Sequence, residues 1–155
     1  MKKKKFTIAV VISVLTLFIL TGCGNKKAAT VETFEQVSKE HGNEIVDITD
    51  QYQKYENIEK AIISKNTDNW NVEFYILNSN DSASSMFNLN KETFEEESEG
   101  ASSQTSASFG NYETYTLTTG DYYMHLCRID NTFLYVKVKK ENKDAVKKLV
   151  KDLGY

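Results

Sequence analysis

Between residues 70 and 76 apolar and polar side chains alternate, with Trp70, Val72, Phe74 and Ile76 on one side and Asn71, Glu73 and Tyr75 on the other. A period of two is that of a half-buried strand. "KAIIS" (60–64), before the turn "KNTDN" (65–69), completes a hairpin. From Asp81 the period lengthens. Ala83, Phe87, Asn90 and Phe94, spaced by three and four, predict a helix. Glu95, Glu96, Glu97 and Glu99 follow and oppose the helix dipole, so the helix is expected to fray into the polar loop "GASSQTSAS" (100–108). Three further strands are predicted at about 110–118, 121–129 and 132–139, joined by "TTGD" and "DN". A last helix from about Asn142 carries Ala145, Val146, Leu149, Val150 and Leu153 as one apolar stripe. Upstream, Thr33 with Gln36 three residues on has the spacing of a capping box, opening a helix that bears Phe34 and Val37 and stops by Gly42. "EIVDIT" (44–49) reads as a short strand, and 50–59 as a helical turn carrying Tyr52, Tyr55 and Ile58.

These elements predict one α+β domain over 31–155, an antiparallel sheet of about five strands with helices packed mainly on one face. Two stretches, 67–88 and 129–150, align without gaps at an offset of 62, with Asp68/Asp130, Asn69/Asn131, Asn80/Asn142 and Ala83/Ala145 identical. Either an internal duplication of a strand–strand–helix unit or convergence on a common pattern accounts for this.

The N-terminus changes the picture. Met1 is followed by four lysines and then by "FTIAVVISVLTLFIL" (6–20). A basic region before an apolar one is the layout of an export signal. As a helix the fifteen residues reach about 22 Å, short of a hydrocarbon core of about 30 Å. Leu20-Thr21-Gly22-Cys23 closes the run and resembles the lipobox of bacterial lipoproteins. The resemblance implies a diacylglyceryl group on the Cys23 thiol and cleavage between Gly22 and Cys23, leaving 1–22 as a removed signal peptide. It also implies residence on the extracytoplasmic face of the cell membrane, where two acyl chains hold stably. Residues 23–30 then form a tether whose loose part reaches about 15 Å. A protein partner in the membrane or envelope is the expectation. The lack of proline and the abundance of Lys, Asn, Ile and Tyr fit a low-GC Gram-positive source.

Beyond residue 22 the chain carries 15 basic against 22 acidic residues, a formal −7. Nucleic acid is a poor partner for such a surface. The charge is uneven, since 127–155 holds eight basic residues against four acids. That segment reads either as a solvated helix balancing the acidic remainder or as a face toward anionic lipid. With Cys23 acylated only Cys127 is left, so no internal disulfide can form.

No recognisable catalytic or metal-binding motif is present, and none implies a cofactor. His41 and His125 stand in unrelated contexts rather than in H-E-x-x-H, and C-x-x-C, G-x-S-x-G and G-x-x-x-x-G-K do not occur. His125 and Cys127 share a strand face, but their backbone separation of about 6.5–7 Å exceeds what a nucleophile–base pair needs. The acidic run from Glu95 reads as a solvated helix end. A binding surface is the stronger candidate. Tyr75, Phe133 and Tyr135 point away from the apolar strand positions, and one register of the middle strand adds Tyr123, His125 and Cys127 to them. Aromatic, amphipathic side chains suit such surfaces. The competing reading is that the N-terminal helix covers this face or that it is simply solvated. The reading favoured is a lipid-anchored, non-catalytic binding domain. Its rival is a small cell-envelope hydrolase whose acid/base residues the sequence does not mark.

Overall fold

The computed structural model describes residues 25–97 and 99–155, so the signal segment, the cleavage point and Cys23 lie outside the described residues. The chain folds as α1 (Val31–Glu40), β1 (Glu44–Asp47), β2 (Ile58–Lys65), β3 (Asn71–Leu77), α2 (Asn80–Glu96), β4 (Ser103–Phe109), β5 (Tyr112–Thr118), β6 (Tyr122–Ile129), β7 (Thr132–Lys139) and α3 (Lys143–Asp152), with 3-10 turns at Thr49–Tyr52 and Lys140–Asn142. All strands join one antiparallel sheet in the order β1-β2-β3-β7-β6-β5-β4. The class is therefore α+β, with seven strands where about five were expected. The missed strand is β4, placed by its sequence in a polar loop; all seven of its residues are exposed, so no apolar period marks it.

The helices do not gather on one face. On the first face, Phe34 of α1, Val146, Leu149 and Val150 of α3, and Leu153 just past it, pack with Val72, Phe74, Leu134 and Val136. Phe34 stacks on Phe74 with ring centroids 4.9 Å apart. On the second face, Ala83, Phe87 and Phe94 of α2 cover Tyr75, Phe133, Leu126 and Tyr115. A central sheet with alternating apolar rows on both sides needs both covers, because each exposed face would leave large side chains in water.

Helix ends follow local chemistry. The N-cap of α1 is Thr30, three residues before the predicted start, and its hydroxyl accepts from the Thr33 backbone N–H at 3.2 Å. The acidic end of α2 stops at Glu96, and Lys137 on β7 meets Glu97 at 2.5 Å, offsetting charge that opposes the dipole. Gly154, at φ +86°, lets the chain leave α3 in a Schellman turn with Tyr155 N–H donating to the Val150 carbonyl at 3.1 Å. That turn drives the Tyr155 ring into the core, where its hydroxyl meets Thr132 Oγ1 at 2.5 Å.

The two similar stretches agree in their strands and part in their helices. Glu73 pairs with Tyr135, its own equivalent at the offset of 62, so a local two-fold axis normal to the sheet runs between β3 and β7. Such an axis would keep both helices on one face, yet α2 and α3 lie on opposite faces. Of the buried positions of α3 in the aligned stretch, only Leu149 falls on a buried position of α2, Phe87. The identical alanines differ too: Ala83 is fully buried and Ala145, expected in the apolar stripe, is exposed.

The segment expected to be a loose tether is docked from Lys26 onward. The Lys26 backbone N–H donates to Asn111 Oδ1 at 3.0 Å, and Asn111 Nδ2 returns to the Lys26 carbonyl at 2.8 Å. Ala29 is buried, its N–H donating to the Tyr155 hydroxyl at 3.3 Å. Two small apolar residues, Ala28 and Ala29, can enter the core margin where lysines could not, which is why the chain is pinned there. Among the described residues no helix is long and apolar enough to cross a membrane.

Candidate functional site

The five aromatic and histidine positions proposed as one binding surface divide between the two faces. β6 adopts the other register, pairing Tyr123 with Val138, His125 with Val136 and Cys127 with Leu134, so these three side chains join the first face. Tyr75, Phe133 and Tyr135 lie on the second. Tyr75 and Phe133 are buried and Tyr135 half-buried, under α2 and the turn at Thr49–Tyr52 rather than under α1. The Tyr52 ring meets Tyr75 edge-on at 5.6 Å, and Tyr135 lies 5.3 Å from Phe94. The Tyr75 hydroxyl donates to Glu73 Oε2 at 2.5 Å; burial, then the Glu73 charge, raise its pKa far above the ordinary phenol range. This is a packed and hydrogen-bonded core. An exposed aromatic face there is thus corrected.

Tyr123 and His125 instead form the floor of a groove of about 340 Å³ on the first face. One wall is α3. Its buried stripe fixes the helix roll, and Lys143, Lys147 and Lys151, four residues apart, then project along a single edge. The other wall is a ladder of hydroxyls, Thr116 and Thr118 on β5 beside Ser103 and Thr105 on β4. Strand alternation puts these four on one side of the sheet. Among the described residues three lysines line the groove and no acidic side chain does.

The floor is electrostatically unusual. The Tyr123 and His125 rings lie parallel with centroids 6.4 Å apart, and the Lys143 ammonium sits 5.4 Å above the Tyr123 ring. His125 Nδ1 shares a hydrogen bond with Thr116 Oγ1 at 2.8 Å, while Nε2 is buried and takes no partner among the described residues. The Thr118 hydroxyl is likewise buried without a partner among the described residues. Burial, then the nearby charges of Lys26 and Lys147, hold the imidazole pKa down at about 4, so it is neutral at physiological pH. Tyr123 is pushed up to about 12, mainly by burial.

Cys127, next on the same strand face, is buried and its thiol is pushed up to about 12 by desolvation. A nucleophilic thiol needs the opposite shift. Among the described residues no three or more His, Cys, Asp or Glu side chains are clustered in a way that could hold a metal ion. The groove's lysines were visible in the sequence only as a basic segment. Their spacing of four was the available sign, and half of the facing hydroxyl row, Ser103 and Thr105, belongs to the strand that polarity concealed.

Comparison with protein-family models, curated proteins and solved structures finds nothing that matches this chain.

Proposed function

We propose that this protein is a lipid-anchored extracytoplasmic binding domain that holds a compact anionic group in the groove beside α3. The anchor is the diacylglyceryl group on Cys23, and the rest of the chain contributes recognition rather than catalysis. The observation that supports binding is the convergence of Lys143, Lys147 and Lys151 on a groove floored by a buried, neutral His125 whose Nε2 has no partner among the described residues. Cations gathered along one edge attract an anion, and buried polar atoms without partners favour a ligand that can supply hydrogen bonds. The group is a carboxylate or phosphate presented by an envelope or membrane protein partner.

Titration of the full chain with inorganic phosphate and with an acidic peptide tests this, followed by amide and imidazole chemical shifts. Wild type should show saturable shifts at His125, Thr116 and Thr118, and the triple variant Lys143→Gln, Lys147→Gln, Lys151→Gln should bind at least tenfold more weakly. Equal responses in the two proteins would exclude the groove. The anchor is tested separately, since Cys23→Ser should release unprocessed or soluble protein. Mature protein that stays tightly on the membrane after this change would contradict it.

A further inference from the structure

β4 is polar and small along its length until its last residue. Phe109 is 62% exposed at the tip of the β4–β5 hairpin. The same tip receives the N-terminal segment. A methyl group added at Gly110 would come within 2.9 Å of Asn25 Oδ1, and Lys26 is locked to Asn111 by the hydrogen-bond pair described above. Cys23 stands two residues before Asn25, and two residues of extended chain reach at most about 7 Å. Whatever Cys23 carries must therefore emerge beside the hairpin tip.

We propose that Phe109 is a second membrane contact, its ring entering the bilayer interface next to the acyl chains, so that the domain stands on its β4–β5 turn with the β6 start pointing away. The proposal rests on the lipid-anchor reading of Cys23. The occupant is a lipid surface because the anchor's point of exit and the exposed ring coincide. Apolar side chains at such a position gain by leaving water, and Lys27, exposed two residues after Asn25, suits an anionic headgroup layer. Tyr122, 41% exposed at the opposite end of β6, is the natural control.

The test uses full-length processed protein reconstituted into vesicles of phosphatidylglycerol and phosphatidylcholine that contain shallow spin-labelled quencher lipid. An environment-sensitive fluorophore is placed on Phe109→Cys or on Tyr122→Cys, Cys127 being buried. The label at 109 should be blue-shifted and quenched at least twofold more than the label at 122. Flotation of the vesicles reads the anchor independently. Protein that floats with an unquenched label at 109 overturns the seat alone. Protein that carries no diacylglyceryl mass and does not float overturns the anchor and the seat together.

Discussion

α2 and α3 follow strands of similar sequence and end up doing different work. α2 closes its face of the sheet with Ala83, Phe87 and Phe94, and its solvent side is acidic toward Glu95–Glu97. α3 lies on the other face, covers less of it, and leaves a groove between its lysines and the hydroxyls of β4 and β5. The difference comes from which helical positions are apolar. α2 buries 83, 87 and 94, whereas α3 buries 146, 149, 150 and 153, so the equivalent rolls of the two helices do not superpose. Equal strand patterns thus fix pairing, and the helix stripe decides the face.

The sharpest way to break this comparison is to load the two identical alanines. Ala83→Lys buries an unpaired charge against Phe133 and its neighbours and should cost roughly 3–5 kcal/mol in urea unfolding. Ala145→Lys, on an exposed position, should stay within about 0.5 kcal/mol. Similar losses at both sites would remove the asymmetry. The next effect concerns acid. His125 under α3 titrates near 4 when folded and near 6.5 when free, so the unfolded chain takes up the proton first. Its contribution is fully present above pH 6.5, falls as the pH drops toward 4, and amounts to about 3 kcal/mol at most. Subtracting the unfolding curve of His125→Leu from that of wild type between pH 4 and 6.5 should isolate this slope, and parallel curves would count against a neutral buried imidazole.

Much of this was legible before any coordinates. The alternation at 70–76 and 132–138 and the stripes of the last two helices mark half-buried elements, and those are the elements the sequence reading places correctly. β4 was hidden because "SQTSASF" is held by backbone pairing to β5 and buries nothing, so its side chains carry no period. The register of β6 was hidden for the opposite reason. Nearly all of "YYMHLCRI" is buried, on two faces at once, and alternation says nothing when each row mixes apolar residues with a buried polar one, His125 or Arg128. That ambiguity grouped Tyr123 and His125 with Tyr75, Phe133 and Tyr135. The docking of Lys26 to Asn111 is a pairing across 85 residues that no local pattern encodes.

Two smaller effects sharpen the contrast between the helices. Lys147→Gln should weaken phosphate binding roughly tenfold, equivalent to about 1.4 kcal/mol. Lys91→Gln, which removes the ammonium of α2 lying 5.7 Å over the Tyr115 ring, should leave phosphate affinity within about twofold. Calorimetry on both variants decides whether the cations of α3 differ in kind from that of α2. Least of all, Lys137→Ala breaks the half-exposed pair with Glu97 and should cost under about 1 kcal/mol, shrinking further in high salt. A larger loss would mean that this surface pair holds the α2 terminus on the sheet.

The pinning of Lys26 and Ala29 also defines a load path. Tension entering from the N-terminal side meets first the two hydrogen bonds to Asn111, then the hydrogen bond from Ala29 to Tyr155, and only afterwards α1 and the β1 edge. Because Tyr155 is in turn clasped to Thr132 of the central strand β7, that force is spread into the middle of the sheet instead of peeling it from its margin. The clasp thus joins the N-terminal segment to the middle of the sheet, with the four-residue strand β1 left at its margin.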